Sequence, residues 1–150
     1  DALVAALAAH EVEREYLALV WGHLDAPQGV VDAAIGRSGR DPTRMAVSTR
    51  GRHARTHYEV LETFDEPAAV TLLRCRLETG RTHQIRVHMA AIGHPVVGDE
   101  RYGGARSSVA VGRPFLHAAR LSFTHPATGE PVAYESPLPA DLRAVLYSLA

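Results

Sequence analysis

The chain has 150 residues, 46% apolar and 22% charged, which suits one compact domain with an adequate core and argues against long disorder. A formal charge of −1 excludes a global cationic field, the single cysteine Cys75 excludes an intrachain disulfide, and no segment approaches the roughly 18–20 apolar residues of a membrane helix. The start lacks the basic region of a signal peptide and runs into an acidic stretch, so a soluble, cytoplasmic domain is expected.

Ala2 to His10 is rich in Ala and Leu and reads as a short helix. Glu15 to Trp21 is a dense apolar run that ends at Gly22, which predicts a strand apolar on both faces. Pro27 to Gly29 marks a turn and Val30 to Ile35 a second strand. Gly36 to Arg55 is loop-like, with Met45 to Val47 a short strand inside it. Thr56 to Phe64 alternates, and Val70 to Glu78 alternates more clearly, with Leu73, Cys75 and Leu77 facing away from Arg74, Arg76 and Glu78. Thr82 is positioned to cap a helix through Ile92, stopped by Gly93 and Pro95, with Ile85, Met89 and Ile92 as its core stripe. Val97 to Gly104 is turn-rich and Ala105 to Arg113 reads as a mobile surface loop. Phe115 to Phe123 and Val132 to Glu135 are closing strands around a Pro126 to Gly129 turn, and Asp141 to Leu149 is an amphipathic terminal helix. Several strands, few helices and hairpin connections predict an α+β fold with a mixed, mostly antiparallel sheet and flanking helices.

The near-neutral total hides a pattern. All 16 basic residues are arginine, and 13 of them lie between Gly36 and Arg113 against eight acids, while the segments on either side are acidic. The exclusive use of arginine fits a GC-rich coding bias, and it also fits phosphate or base recognition by the planar guanidinium fork. Arg44, Arg50 and Arg52 suit a nucleic-acid backbone, with solvated loop charge as the equal alternative.

The densest polar cluster is Gly80-Arg81-Thr82-His83-Gln84-Ile85-Arg86-Val87-His88. His83 and Arg86 share a helix face, as do Gln84 and His88. A helix start with Arg81, His83 and Arg86 around it suits an anionic ligand, and a solvated polar face is the plainer alternative. A metal site is the rival reading of nine histidines, but His83 and His88 splay apart and no His-Glu-x-x-His motif occurs. There is no Gly-x-Ser-x-Gly, and Cys75 reads as core packing. Tyr16 reads as a core aromatic, and Asp99 as a turn acceptor rather than a nucleophile.

Gly80 to His88, continued through Met89 to Asp99 and closed by Tyr102-Gly103-Gly104, closely resembles the C-terminal signature of the RluA-type pseudouridine synthases. Glu11 to Val20 looks like that family's tyrosine strand. Thr43 to Val47 with Ala54 to Tyr58 resembles its middle segment, and Leu116 to Ala118 with Phe123 to Pro126 its late strands. The resemblance implies an isomerase that converts uridine in ribosomal or transfer RNA to pseudouridine without cofactor or metal. It implies Arg86 as partner of the catalytic Asp and Tyr16 as platform for the target base and candidate base for the C5 proton. Arg81 and His83 are expected RNA or active-site contacts, and Arg44 and Arg52 expected RNA contacts. A monomer is expected, with RNA as its partner and no membrane. The family's His-Arg-Leu-Asp motif, which carries the catalytic Asp, does not occur in these residues. Residues 1–150 are therefore expected to be a partial catalytic domain, inactive alone, with an unpaired sheet edge and some exposed core. A non-catalytic RNA-binding remnant is the alternative.

Overall fold

The computed structural model of the protein describes residues 12–150. In chain order its elements are β1 (Glu13–Trp21), β2 (Gln28–Asp32), β3 (Ile35–Arg37), β4 (Met45–Val47), β5 (Arg55–Phe64), β6 (Val70–Leu77), α1 (Gln84–Ala91), β7 (Leu116–Thr124), β8 (Pro131–Glu135) and α2 (Ala140–Tyr147). The helix expected over 2–10 lies outside the described residues. Six strands form one sheet in the order β2-β5-β6-β1-β7-β8, and β3 pairs with β4 in a separate hairpin. Every described strand ladder is antiparallel, in agreement with the expected α+β class.

The apolar run of β1 is explained by its place at the sheet centre, between β6 and β7. A strand covered on both faces needs apolar side chains in both parities. Ala18 and Val20 join Leu73, Cys75, Ile85 and Met89 on the face that α1 covers. Leu19 and Trp21 join Leu72, Val97, Phe115 and Leu142 on the face that α2 covers. β6 alternates as its sequence requires, with Leu73, Cys75 and Leu77 buried and Arg74 and Arg76 exposed. Cys75 is fully buried, and desolvation pushes its thiol up to about 12, so it packs as a small apolar group.

Three expectations need correction. The strand expected over Val30 to Ile35 is split. β2 leaves β5 after Asp32, Ala33 N–H bonds Ala54 O at 3.1 Å, and Ile35 exchanges two bonds with Arg52, at 2.9 and 2.8 Å. These bonds turn the chain into the β3–β4 hairpin. The segment Ala105 to Arg113 is a surface loop, as expected, but an anchored one, because Val109 is buried in the α2-side core and the Arg106 guanidinium lies 4.9 Å from the Trp21 ring centroid. Ile92 is exposed rather than core, and Val87 takes its place, packing with Ile35, Ala54 and Tyr102. β2 and β8 are the edges of the large sheet, and Val30 and Tyr134 on them are exposed.

Leu73 has no exposed surface and sits between β1 and β5 in the middle of the α1-side core. Leu73→Ala is expected to cost about 2–5 kcal/mol of unfolding free energy, read as a lower urea midpoint at unchanged slope.

Candidate active site

The helix of the signature, α1, is seated by a chain of buried hydrogen bonds. Thr79 hydroxyl donates to Gln84 Oε1 at 2.6 Å, and Arg81 N–H donates to the same oxygen at 3.0 Å. Gln84 Nε2 donates to Arg55 O and to Thr56 Oγ1, both at 2.9 Å. Thr56 Oγ1 lies 2.8 Å from His88 Nδ1, and His88 Nε2 lies 2.8 Å from Ala33 O. The simplest assignment has Thr56 donating to Nδ1 and Nε2–H donating to the carbonyl, which is a neutral ring. Burial lowers the His88 pKa, in keeping with that state. Gln84 and His88 do share a helix face, as their spacing predicts, but that face is turned inward.

The helix does not begin at a Thr82 cap. The residue before its first turn is His83, in the left-handed region at φ 56°, and it makes no side-chain cap. A non-glycine residue held there costs about 1 kcal/mol or more. Its surroundings hold it there. His83 Nδ1 lies 2.7 Å from the Tyr102 hydroxyl, with the rings edge to face at 5.5 Å. Burial first, then the nearby Arg86 and Arg101 cations, keep the His83 pKa below its ordinary value. Met45 N–H donates to the same hydroxyl oxygen at 3.1 Å, which leaves the phenol proton free for the neutral Nδ1.

Arg86, in the first turn of α1, is held by Asp99. Its Nε donates to Oδ2 at 2.7 Å and its Nη2 to Oδ1 at 2.9 Å. Asp99 has no exposed surface, and it also accepts the backbone N–H groups of Arg101 and Tyr102, both at 3.2 Å. Its hydrogen bonds to Asp99 hold the guanidinium yet more firmly protonated than usual. Tyr102 is buried, with the Arg86 guanidinium 5.1 Å and the Arg44 guanidinium 5.2 Å from its ring centroid. Among the described residues, Arg86 Nη1 makes no hydrogen bond and remains a donor.

The expected site residues therefore divide. Arg86, His83 and Arg44 meet on Tyr102. Arg81 does not join them, since its Nε donates to His53 O at 2.7 Å. Arg52 is exposed on the hairpin side, its backbone tied to Ile35. Tyr16 lies on the same sheet face as α1, packed against the cluster that contains Ile85 and Met89. It also walls a surface cavity of about 270 Å³ with Arg14, Ala118, Leu121 and Tyr134. No hydrogen bond or ring contact among the described residues joins Tyr16 to Arg86. The reading of Asp99 as a turn acceptor holds, with the ion pair to Arg86 in addition, and Tyr102, which closes the signature, has no role assigned to it by the sequence. His53 and His57 turn to carboxylates, Asp32 and Glu78 respectively. Among the described residues no group of three or more His, Cys, Asp or Glu side chains is arranged to hold a metal ion.

Two outcomes follow from this geometry. Asp99→Asn leaves a half-buried guanidinium without its anion and is expected to cost about 3 kcal/mol of stability, measured by urea unfolding. The neutral His88 gives a pH dependence. Its folded pKa lies below 6.5, so the unfolded chain binds more protons as pH falls through 6.5, and the fold weakens until the buried ring itself takes a proton. His83 acts in the same direction. The urea midpoint should drop between about pH 6.5 and 5, less steeply in His88→Gln, and a flat midpoint across that window would exclude a neutral buried His88.

Residues 1–91 match the model of the RNA pseudouridylate synthase family. The ribosomal large subunit pseudouridine synthase D of Nitrosomonas europaea is 52% identical over 145 residues, covering 92% of this chain and 41% of that protein. The uncharacterized RNA pseudouridine synthase YlyB of Bacillus subtilis is 45% identical over 149 residues, covering 99% of this chain and 48% of that protein. The chain thus spans less than half the length of these relatives. Among solved structures, human RNA pseudouridylate synthase domain containing 1 superposes with a TM-score of 0.81 at 30% identity, over 98% of this chain and 62% of that one. A second human protein, RNA pseudouridylate synthase domain containing 4, shares the fold with a TM-score of 0.73 at 23% identity. On the family match and the close relatives together, this chain belongs to the RNA pseudouridylate synthase family.

Proposed function

We propose that the protein carrying this chain isomerises uridine to pseudouridine in ribosomal or transfer RNA, in the cytoplasm. Relatives named for the large ribosomal subunit favour ribosomal RNA. The reaction breaks the N1–C1′ bond and forms a C5–C1′ bond. The proton lost from C5 is balanced by one gained at N1, so the change is a pure rearrangement.

The observation that carries the reading is Arg86. It is the arginine that the family resemblance makes the partner of the catalytic carboxylate. Its Nε and Nη2 are already fixed on Asp99, while Nη1 remains a donor. A carboxylate bonded to such an arginine stays ionised and oriented, as a nucleophile or a charge stabiliser must be. We assign that carboxylate to a His-Arg-Leu-Asp segment outside these 150 residues, in keeping with their share of the relatives' length. Residues 1–150 are then a partial catalytic domain without turnover of their own. Tyr16 is the platform for the base and the group assigned to the C5 proton, with the cavity beside it open to a base turned out of its stack. His83, Arg44, Arg52 and Arg81 are the residues we assign to RNA contact.

The test uses the intact protein and RNA tritiated at uridine C5, with tritium release as the readout. Arg86→Ala and Tyr16→Phe should each lower turnover by a hundredfold or more, roughly the scale of a lost charge stabiliser or proton-transfer group. RNA affinity should largely survive in both and should fall steeply with salt. Near-normal turnover in Arg86→Ala removes Arg86 from the chemistry. RNA binding by the intact protein with no tritium release would instead favour a non-catalytic RNA-binding role.

A further inference from the structure

The arginine-bearing β3–β4 hairpin and α1 are joined by one short loop, residues 98–104. Arg101 Nη1 donates to Thr43 O at 2.6 Å, just before β4. Tyr102 makes the larger set of contacts. Its hydroxyl accepts Met45 N–H from the hairpin and bonds His83 at the start of α1. Its backbone N–H bonds Asp99, the carboxylate that holds Arg86. Its ring lies about equally far from the guanidiniums of Arg44 and Arg86. The electron-rich face of a buried phenol attracts a guanidinium, so the ring is a contact point for both cations. With the hydroxyl tied to two different elements, the ring has no freedom to slide. A residue that merely filled the space between Ile35, Ala54 and Val87 would need neither the hydroxyl nor the two cations.

We propose that Tyr102 is a positioning residue, carrying the placement of the β3–β4 hairpin, through Met45 and Arg44, to the guanidinium of Arg86. The inference rests on the reading of Arg86 given above. A hairpin held by RNA then keeps the guanidinium in register, and a hairpin out of place lets it drift. The effect falls on turnover more than on RNA affinity, because Tyr102 is buried and offers little surface to the RNA.

The experiment measures tritium release in the intact protein for Tyr102→Leu, Tyr102→Phe, Arg86→Lys and the double variant Tyr102→Leu with Arg86→Lys. RNA is labelled at uridine C5 and prepared from cells lacking the protein. Tyr102→Leu should lower kcat by about tenfold or more with KM for RNA within about twofold, the scale of two lost hydrogen bonds and a lost ring contact. Tyr102→Phe keeps the ring and should recover part of that loss. In the Arg86→Lys background the Leu substitution should do little more, because the guanidinium it acts through is gone. Additive losses in the double variant would overturn the proposal. So would a loss confined to KM, or a lower Tm with kcat per folded molecule unchanged. Where Tyr102→Leu fails to fold, Tyr102→Phe alone and paired with Arg86→Lys decides by the same additivity. If Arg86→Ala turns over normally, the reading of Arg86 fails first. If Arg86→Ala collapses while the Tyr102 variants are normal, only the positioning role fails.

Discussion

The ion pair between Arg86 and Asp99 is the constraint around which this end of the molecule is arranged. A carboxylate with no exposed surface is stable only when its oxygens are filled by donors of good geometry. Asp99 gets two from one guanidinium and two from the backbone of its own loop. Meeting that demand fixes the loop, the helix and the distance between them at once. The loop has to turn back sharply, and Gly104 allows it: Gly104 N–H bonds Asp99 O at 2.7 Å, and a Cβ at that position would run into the carbonyl oxygen of Val96. Val96 and Val97 in turn lie along the end of β1, with Val97 N–H bonded to Leu19 O at 2.8 Å. The arginine is thereby referenced to the central strand of the sheet.

α1 is located twice, by two kinds of force. Ile85 and Met89 bury against the sheet, which sets how far the helix stands from it but resists sliding only weakly. The hydrogen-bonded set of Gln84, Thr56 and His88 is directional and sets the helix along its axis. Such a set is favourable only when complete, and here both functional ends of Gln84 and both nitrogens of His88 are used. Apolar contact and polar register together leave Arg86 little latitude, as a charge with a geometric task requires.

What was legible in the sequence was what depends on neighbours along the chain. The alternation of β6, the two-sided run of β1 and the short strand Met45 to Val47 follow from local pattern and appear as read. The split of the second strand was hidden, because it is caused by bonds from Ala33 and Ile35 to residues some twenty positions away. The helix start departs from its local pattern for a similar reason. Thr82 is a good cap by type, but the Tyr102 hydroxyl and the Gln84 side chain hold the turn differently. Asp99 was identified as a turn acceptor because its two backbone donors are near in sequence. Its bond to Arg86 spans thirteen positions and has no local mark. The family resemblance pointed to Arg86 and Tyr16 together, while residue chemistry alone left Tyr16 a core aromatic.

The place of β1 has a consequence for how the chain reaches this structure. Its partners are β6 and β7, so Ala18 must find Leu73 on one side and Leu116 on the other. The β5–β6 and β7–β8 pairs can close over short connections, but the strand between them is the earliest of the described set. Loop-closure entropy makes such distant pairings late and slow. During synthesis this central strand therefore waits, unpaired, for its neighbours to emerge. That interval is when this fold is most open to aggregation, and chaperone contact with residues 15–21 is most to be expected then.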